Sequence, residues 1–270
     1  MRTLLLCLIM VASCKTGGNS TINAAVTIAP DERLDLTKYQ ATPADLAQFR
    51  QELGADYDRY LQQLQQGIAD GSRPIPDRFK RLSPEEWVAI YHYSNIGFRS
   101  LNKVLRQQDI AGTAKQAGFI KVLSSGLNKL PPTTALAYRT GLLPAFGNGE
   151  YFSPFHELRV IDPERLAQFK VGQIYVESGF LSTSQHDPNI LRLSFGCREA
   201  FYTVQSKYGR DISALAGLPG EREVLFVPGS EFKIVKMKHT FPPANQCAGE
   251  VVELEVEEVE PGTYQADTAK

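Results

Sequence analysis

Cysteine and histidine are scarce in this chain, four of each among 270 residues, and their placement excludes whole classes of chemistry. His92, His156, His186 and His239 share no metal-ligand spacing, and no Cys-x-x-Cys pair is present. A structural zinc site or a metallohydrolase centre needs such clustering, so the histidines read as surface or packing residues and no metal is expected. There is no Gly-x-Ser-x-Gly elbow and no P-loop, and Gly147-Asn148-Gly149 is too short for a dinucleotide fingerprint. Excess charge of either sign is also missing: 29 Lys plus Arg face 30 Asp plus Glu. Without a basic surplus or a polybasic block, nothing points to nucleic acid or to anionic lipid as a partner. Internal repeats, a heptad seam and a second long apolar span are likewise absent.

What is present begins at the N-terminus. Met1-Arg2 is followed by an apolar run from Leu4 to Ala12, too short to cross a bilayer and suited to a signal-peptide core. Val11-Ala12-Ser13-Cys14 resembles the lipobox of bacterial lipoproteins, with valine where leucine is commoner. The resemblance implies that residues 1–14 are a signal whose Cys14 takes the lipid. The protein would then be exported and held at the cell envelope, on the outer membrane or surface. Lys15 to Ile28 is small and polar, a composition that buries too little apolar surface to fold, so residues 15–41 are expected to be a tether. With Cys7 removed and Cys14 lipidated, Cys197 and Cys247 remain in an oxidising compartment. They form either a disulfide, which would add about 4 kcal/mol by closing a long loop, or two buried thiols.

From Thr42-Pro43 the apolar residues recur at helical spacing up to Gly67, and Gly71-Ser72-Arg73-Pro74-Ile75-Pro76 breaks the pattern. Ser83-Pro84-Glu85-Glu86 is a capping box opening a second helix that runs through Leu105. A third spans about Ile110 to Leu127, ended by Pro131-Pro132. Beyond Pro132 the periodicity shortens to strands at Thr134–Tyr138, Gln173–Val176, Phe180–Thr183, Ala200–Val204, Glu223–Val227, Glu231–Met237 and Val251–Val259. Helices first and strands afterwards predict an α+β domain over residues 42–260, with a polar, frayed tail at 261–270.

Three polar groups sit on those strands. Arg139 closes the first, Ser182-Thr183-Ser184 follows Gly179-Phe180-Leu181, and Glu221-Arg222-Glu223 enters an apolar run. Singly, each has an ordinary explanation: a surface ion pair, a solvated strand edge, a decorated open face. Their order resembles the Arg–Ser–Glu class of mono-ADP-ribosyltransferases, the family of clostridial binary toxins and vertebrate ecto-transferases. Further text carries the resemblance: Tyr91-His92-Tyr93-Ser94 with Asn102 and Leu105-Arg106, the strand Gly179-Phe180-Leu181-Ser182-Thr183-Ser184, the segment Phe195-Gly196-Cys197-Arg198, and the hairpin from Gly209 to Phe226.

The resemblance implies an ADP-ribosyltransferase fold, two antiparallel sheets forming an NAD⁺ cleft with helices alongside. It implies that Arg139, with Thr183, Ser184, Phe195 and Arg198, holds NAD⁺, and that Arg139, Ser182, Glu221 and Glu223 carry the reaction. A permanently charged guanidinium suits the pyrophosphate, and Phe195 offers the nicotinamide a flat face. Positive charge grows on the ribose C1′ as the nicotinamide bond breaks, and Glu223 would stabilise it while Ser182 orients Glu223. Glu221, two residues away along a strand and so on the same face, would take an arginine guanidinium of an acceptor protein. The loop Ser213 to Gly220 corresponds to the substrate-recognition loop but lacks the aromatic residue several toxins carry there. Two rival readings stay open: an NAD⁺ glycohydrolase, in which water replaces arginine, and a non-catalytic surface lipoprotein using the fold as a binding module.

Overall fold

Two proline-led helix starts frame the N-terminal half in the computed structural model, which describes residues 34–141, 166–167, 169–186, 199–240 and 250–264. Helix α1 (Pro43–Leu53) opens at Thr42, whose hydroxyl accepts from the Asp45 N–H while the Asp45 carboxylate accepts from the Thr42 N–H. Ser83 and Glu86 make the same reciprocal box at the head of α3 (Pro84–His92). Each box satisfies two backbone donors that a helix start leaves unpaired.

The helix expected from Thr42 to Gly67 is two helices. Gly54, at φ 57° and ψ −135°, turns the chain between α1 and α2 (Ala55–Ala69), a conformation open to glycine because it lacks Cβ. The next expected helix is interrupted by a π-turn at Tyr93–Gly97, which separates α3 from α4 (Phe98–Arg106). The third divides at Gln116 into α5 (Ile110–Lys115) and α6 (Ala117–Lys129). Glu52 caps α6, its oxygens accepting from the N–H groups of Gly118 and Phe119 at 2.9 and 2.8 Å. A carboxylate is favoured at that positive end of the helix dipole. Phe49, Leu64, Ile90, Leu123 and Leu127, all fully buried, build the helical core.

The strands are β1 (Ala135–Gly141), β2 (Ile174–Val176), β3 (Leu181–Ser184), β4 (Ala200–Ser206), β5 (Arg210–Asp211), β6 (Glu223–Phe226), β7 (Glu231–Thr240) and β8 (Val251–Val259). They hydrogen-bond in the order β2-β7-β8-β4-β1-β3-β6-β5. The expected α+β class holds, and two strand groups are recognisable: β1 pairs with β4 along its whole length but with β3 only at Tyr138↔Ser184. In detail the expected pair of wholly antiparallel sheets is corrected. That one pair joins the groups into a single order, and β8 runs parallel to β4. Burial decides this: Val252, Leu254 and Val256 stand opposite Ala200, Tyr202 and Val204 and extend the same apolar layer. Antiparallel pairing of β8 with β7 then sets its direction.

Strand β6 lies between the two cores. Val224 and Phe226 face the sheet core, and Leu225 faces the helical core, as the two-residue side-chain period of a strand requires. This explains the continuous apolar run after Glu223: no position of β6 is exposed.

Candidate active site

Adjacent strands β1, β3 and β6 bring Arg139, Ser182 and Glu223 together. Ser182 Oγ donates to Glu223 Oε1 at 2.5 Å, and Arg139 Nη1 donates to the Ser182 carbonyl at 2.7 Å. Glu223 is only 3% exposed. Burial pushes its carboxyl up to about 7; the Ser182 hydrogen bond and the Arg139 charge act the other way, and the Glu221 charge adds to the rise. Burial, with Arg106 nearby, pulls the Arg139 guanidinium down from its ordinary value, but an arginine keeps its charge at any physiological pH.

Alternation along β3 divides the Ser-Thr-Ser run. Ser182 and Ser184 face one side, and Thr183 faces the other, where its buried hydroxyl donates to the Val224 carbonyl at 2.8 Å. The side chain of Thr183 is therefore committed to the β3–β6 pairing. Ser184 Oγ donates to the Glu221 carbonyl at 2.6 Å and accepts from the His186 N–H at 3.1 Å. Phe195, Arg198, Cys197, Cys247 and Cys14 lie outside the described residues.

The spacing of Glu221 and Glu223 predicts one face of one strand, and the structure corrects this. Glu221 ends a 3₁₀ turn at Pro219–Glu221, and Arg222 takes the left-handed conformation, φ 50° and ψ 52°, before β6 begins. The turn is drawn onto the end of β3 by the Ser184 bond to Glu221 and by the Gln185 N–H donating to the Arg222 carbonyl at 3.2 Å. A left-handed residue between them turns the chain out of the extended form, so the two-residue strand period no longer applies. The two carboxyls remain electrostatically coupled. Partial burial raises Glu221 above its usual range, while the charge of His186 opposes the rise.

Helix α4 and the π-turn hold the start of β3. Asn102 Nδ2 donates to Tyr93 Oη at 2.9 Å, and Asn102 Oδ1 accepts from the Phe180 N–H at 2.8 Å. The Phe180 carbonyl accepts from Tyr93 Oη at 3.2 Å and from Arg106 Nη2 at 3.1 Å. Arg106 Nε also pairs with Glu177 Oε1 at 2.8 Å, and both side chains are largely buried. Gly179 is required at this junction, since a Cβ there would lie 2.8 Å from Asn102 Oδ1 and 3.0 Å from Arg106 Nε.

Residues next to the site that had no functional role in the sequence include Tyr93, Asn102, Arg106, Glu177 and His186. Arg106 stood in the quoted Leu105-Arg106 text, but its partner Glu177 lies in a loop with no pattern of its own. His186 carries no motif, yet its Nε2 lies against the Gly220 carbonyl beside Glu221. Two other histidines fit the packing and surface reading. His92 lies against Tyr60 and Phe119, where burial lowers it, and His239 pairs with Glu250 at 3.3 Å on the strand surface.

This fold is found in solved structures. The ADP-ribosyltransferase HopU1 of Pseudomonas syringae pv. Tomato DC3000 superposes with a TM-score of 0.58 at 19% identity, over 82% of this chain and all of HopU1. The likeness sets the class: an ADP-ribosyltransferase-like α+β fold. The sequence sets the family, since residues 48–256 match the ADP-ribosyltransferase exoenzyme family, and the chain belongs to it. Among its relatives, the Mav protein of Mycobacterium avium is 27% identical over 172 residues, 64% of this chain. The NAD(+)–protein-arginine ADP-ribosyltransferase Tre1 of Serratia proteamaculans is 29% identical over 155 residues, 57% of this chain. The matches span only 18% of Mav and 29% of Tre1.

Proposed function

We propose that the chain cleaves NAD⁺ and transfers its ADP-ribose to arginine side chains of an acceptor protein. The observation that carries this is the 2.5 Å bond from Ser182 to the buried Glu223, with Arg139 holding the strand that bears Ser182. The relative Tre1 supports it, being by name an arginine-directed transferase. In this reading Arg139, with Phe195 and Arg198, holds NAD⁺, Arg139 placing a permanent positive charge beside its pyrophosphate, and Ser184 secures the turn next to it. Glu223, its rotamer held by Ser182, stabilises the charge that grows on C1′ as the C1′–nicotinamide bond breaks and nicotinamide leaves with the electron pair. A guanidinium nitrogen of the acceptor forms the new bond to C1′, and its proton passes to Glu221. Half-burial raises Glu221 above its ordinary value, which makes it a better proton acceptor than an exposed carboxylate. No metal takes part in this reading.

The N-terminal reading is likewise a proposal. Residues 1–14 are a lipoprotein signal with Cys14 lipidated, 15–41 a tether, 42–260 the catalytic domain and 261–270 a tail. The enzyme is then exported and attached to the envelope membrane by its lipid, and a Cys197–Cys247 bridge is compatible with that compartment. The run Leu4 to Ala12, which leads into Val11-Ala12-Ser13-Cys14 at its end, supports this placement.

Transfer of labelled ADP-ribose from NAD⁺ to agmatine, with nicotinamide release followed in parallel, tests the catalytic reading. The wild-type chain should label agmatine, and Glu221→Gln should lower transfer at least about 100-fold, the scale of a lost general base, while nicotinamide release persists. Nicotinamide release without labelled agmatine would make the chain an NAD⁺ glycohydrolase. A folded chain doing neither would be a binding module.

A further inference from the structure

The loop from Asp211 to Glu221 is held by side chains from distant elements. Arg73 Nη1 donates to the carbonyls of Ala214 and Ala216 at 3.0 and 2.8 Å. Arg78 Nη2 donates to Asp211 Oδ2 at 2.8 Å, and Asp211 Oδ1 accepts from the Ser213 N–H and hydroxyl. Ser94, on the π-turn, accepts the Gly217 N–H at 2.8 Å. Thus the first two anchors both come from one short segment, the Pro-rich connector between α2 and α3.

That connector is built to be stiff. Pro74 and Pro76 restrict it, with Pro76 at φ −59° and ψ 152°, the extended form proline prefers. The Arg73 N–H donates to the Gly67 carbonyl at 2.7 Å, tying the segment to the end of α2. The Arg73 guanidinium also lies over the Tyr91 ring, 5.2 Å from its centroid, which limits its own freedom. The sequence shows this stretch only as a helix break, and the NAD⁺ chemistry leaves it without a task.

We propose that Arg73 is a positioning residue for the acceptor. It fixes the loop that presents Glu221, and so sets how much of the cleaved ADP-ribose reaches a guanidinium instead of water. This rests on the transferase reading above. Among the described residues, the hydrogen bonds and ring contact of Arg73 go to Ala214, Ala216, Gly67 and Tyr91, none of them in the Arg139–Ser182–Glu223 group, so its loss leaves NAD⁺ cleavage intact and loosens only the acceptor side.

The test compares the full chain with its Arg73→Ala and Arg73→Lys variants, measuring nicotinamide release without acceptor and agmatine labelling across agmatine concentrations. For Arg73→Ala the KM for agmatine should rise about tenfold, as expected for the loss of a charge-assisted hydrogen bond. The KM for NAD⁺ and the rate of nicotinamide release should stay within about twofold of wild type. Arg73→Lys keeps the charge and N–H donors but loses the planar guanidinium that lies over Tyr91, and should fall between; it carries the test if the alanine variant does not fold. An unchanged transfer-to-hydrolysis ratio in both variants, or equal loss of both activities, would overturn the assignment alone. A wild-type chain that releases nicotinamide but labels no agmatine would instead sink the transferase reading, and this assignment with it.

Discussion

Glu223 is where burial and chemistry meet in a single side chain. Its carboxyl lies at about 7 instead of 4.5 in the folded chain, so the native state holds its proton more tightly than the unfolded state does. The sign follows from linkage: stability attributable to this group is complete below about 4.5, falls as pH rises through the interval, and is lost above about 7. A shift of that size corresponds to about 3 kcal/mol. Glu223→Gln keeps an acceptor for Ser182 without the charge, and should be more stable than wild type by up to about that amount at pH 8, much less so at pH 5. Urea denaturation at the two pH values checks this; an advantage of equal size at both would contradict it. The proposed reaction uses the Glu223 carboxylate, and on that proposal nicotinamide release by the wild type should decline as pH drops through about 7. Ser182 and Glu223 were legible as residue types in order. Nothing in their spacing, however, announced that the carboxyl would be buried, since that depends on β3 and β6 pairing beneath the helical layer.

At the scale of elements, the junction of α4 with the start of β3 decides how firmly the site is held. Asn102 serves both partners, donating to Tyr93 Oη and accepting the Phe180 N–H. Asn102→Ala would strand a buried backbone donor and a buried phenol acceptor, a loss of about 2–4 kcal/mol from two unsatisfied groups. The expected outcome is a lower thermal midpoint with nicotinamide release reduced more than the change in folded fraction explains. A midpoint equal to wild type would show that the junction contributes nothing. The helix text containing Tyr93, Asn102 and Arg106 was readable, but the π-turn at Tyr93–Gly97 between α3 and α4 was not. A one-residue excess in a helical ladder shifts the phase of the apolar pattern only once, and the short helices on either side are too brief to reveal that shift. The same limit applies to Glu221, whose strand-like spacing hid the left-handed turn at Arg222.

Over the whole molecule, β6 joins the helical core to the sheet core. Leu225 is fully buried in the first while its neighbours Val224 and Phe226 are buried in the second. Leu225→Ala should therefore destabilise by about 2–5 kcal/mol and move both halves together, so that helical signal and aromatic near-UV signal are lost at one urea midpoint. Separate midpoints would mean that the cores fold independently. The α+β class, the cap positions at Thr42 and Ser83, most strand positions and the Arg, Ser-x-Ser, Glu-x-Glu order were set by local sequence: capping, proline placement and apolar period act over a few residues. Tertiary structure alone decided the parallel pairing of β8 with β4, the one-pair join of β1 to β3, the turn that carries Glu221 and the reach of Arg73 to the loop between Asp211 and Glu221. Those features arise where segments far apart in the chain compete to bury apolar surface and satisfy backbone groups, and no local pattern records which partner wins.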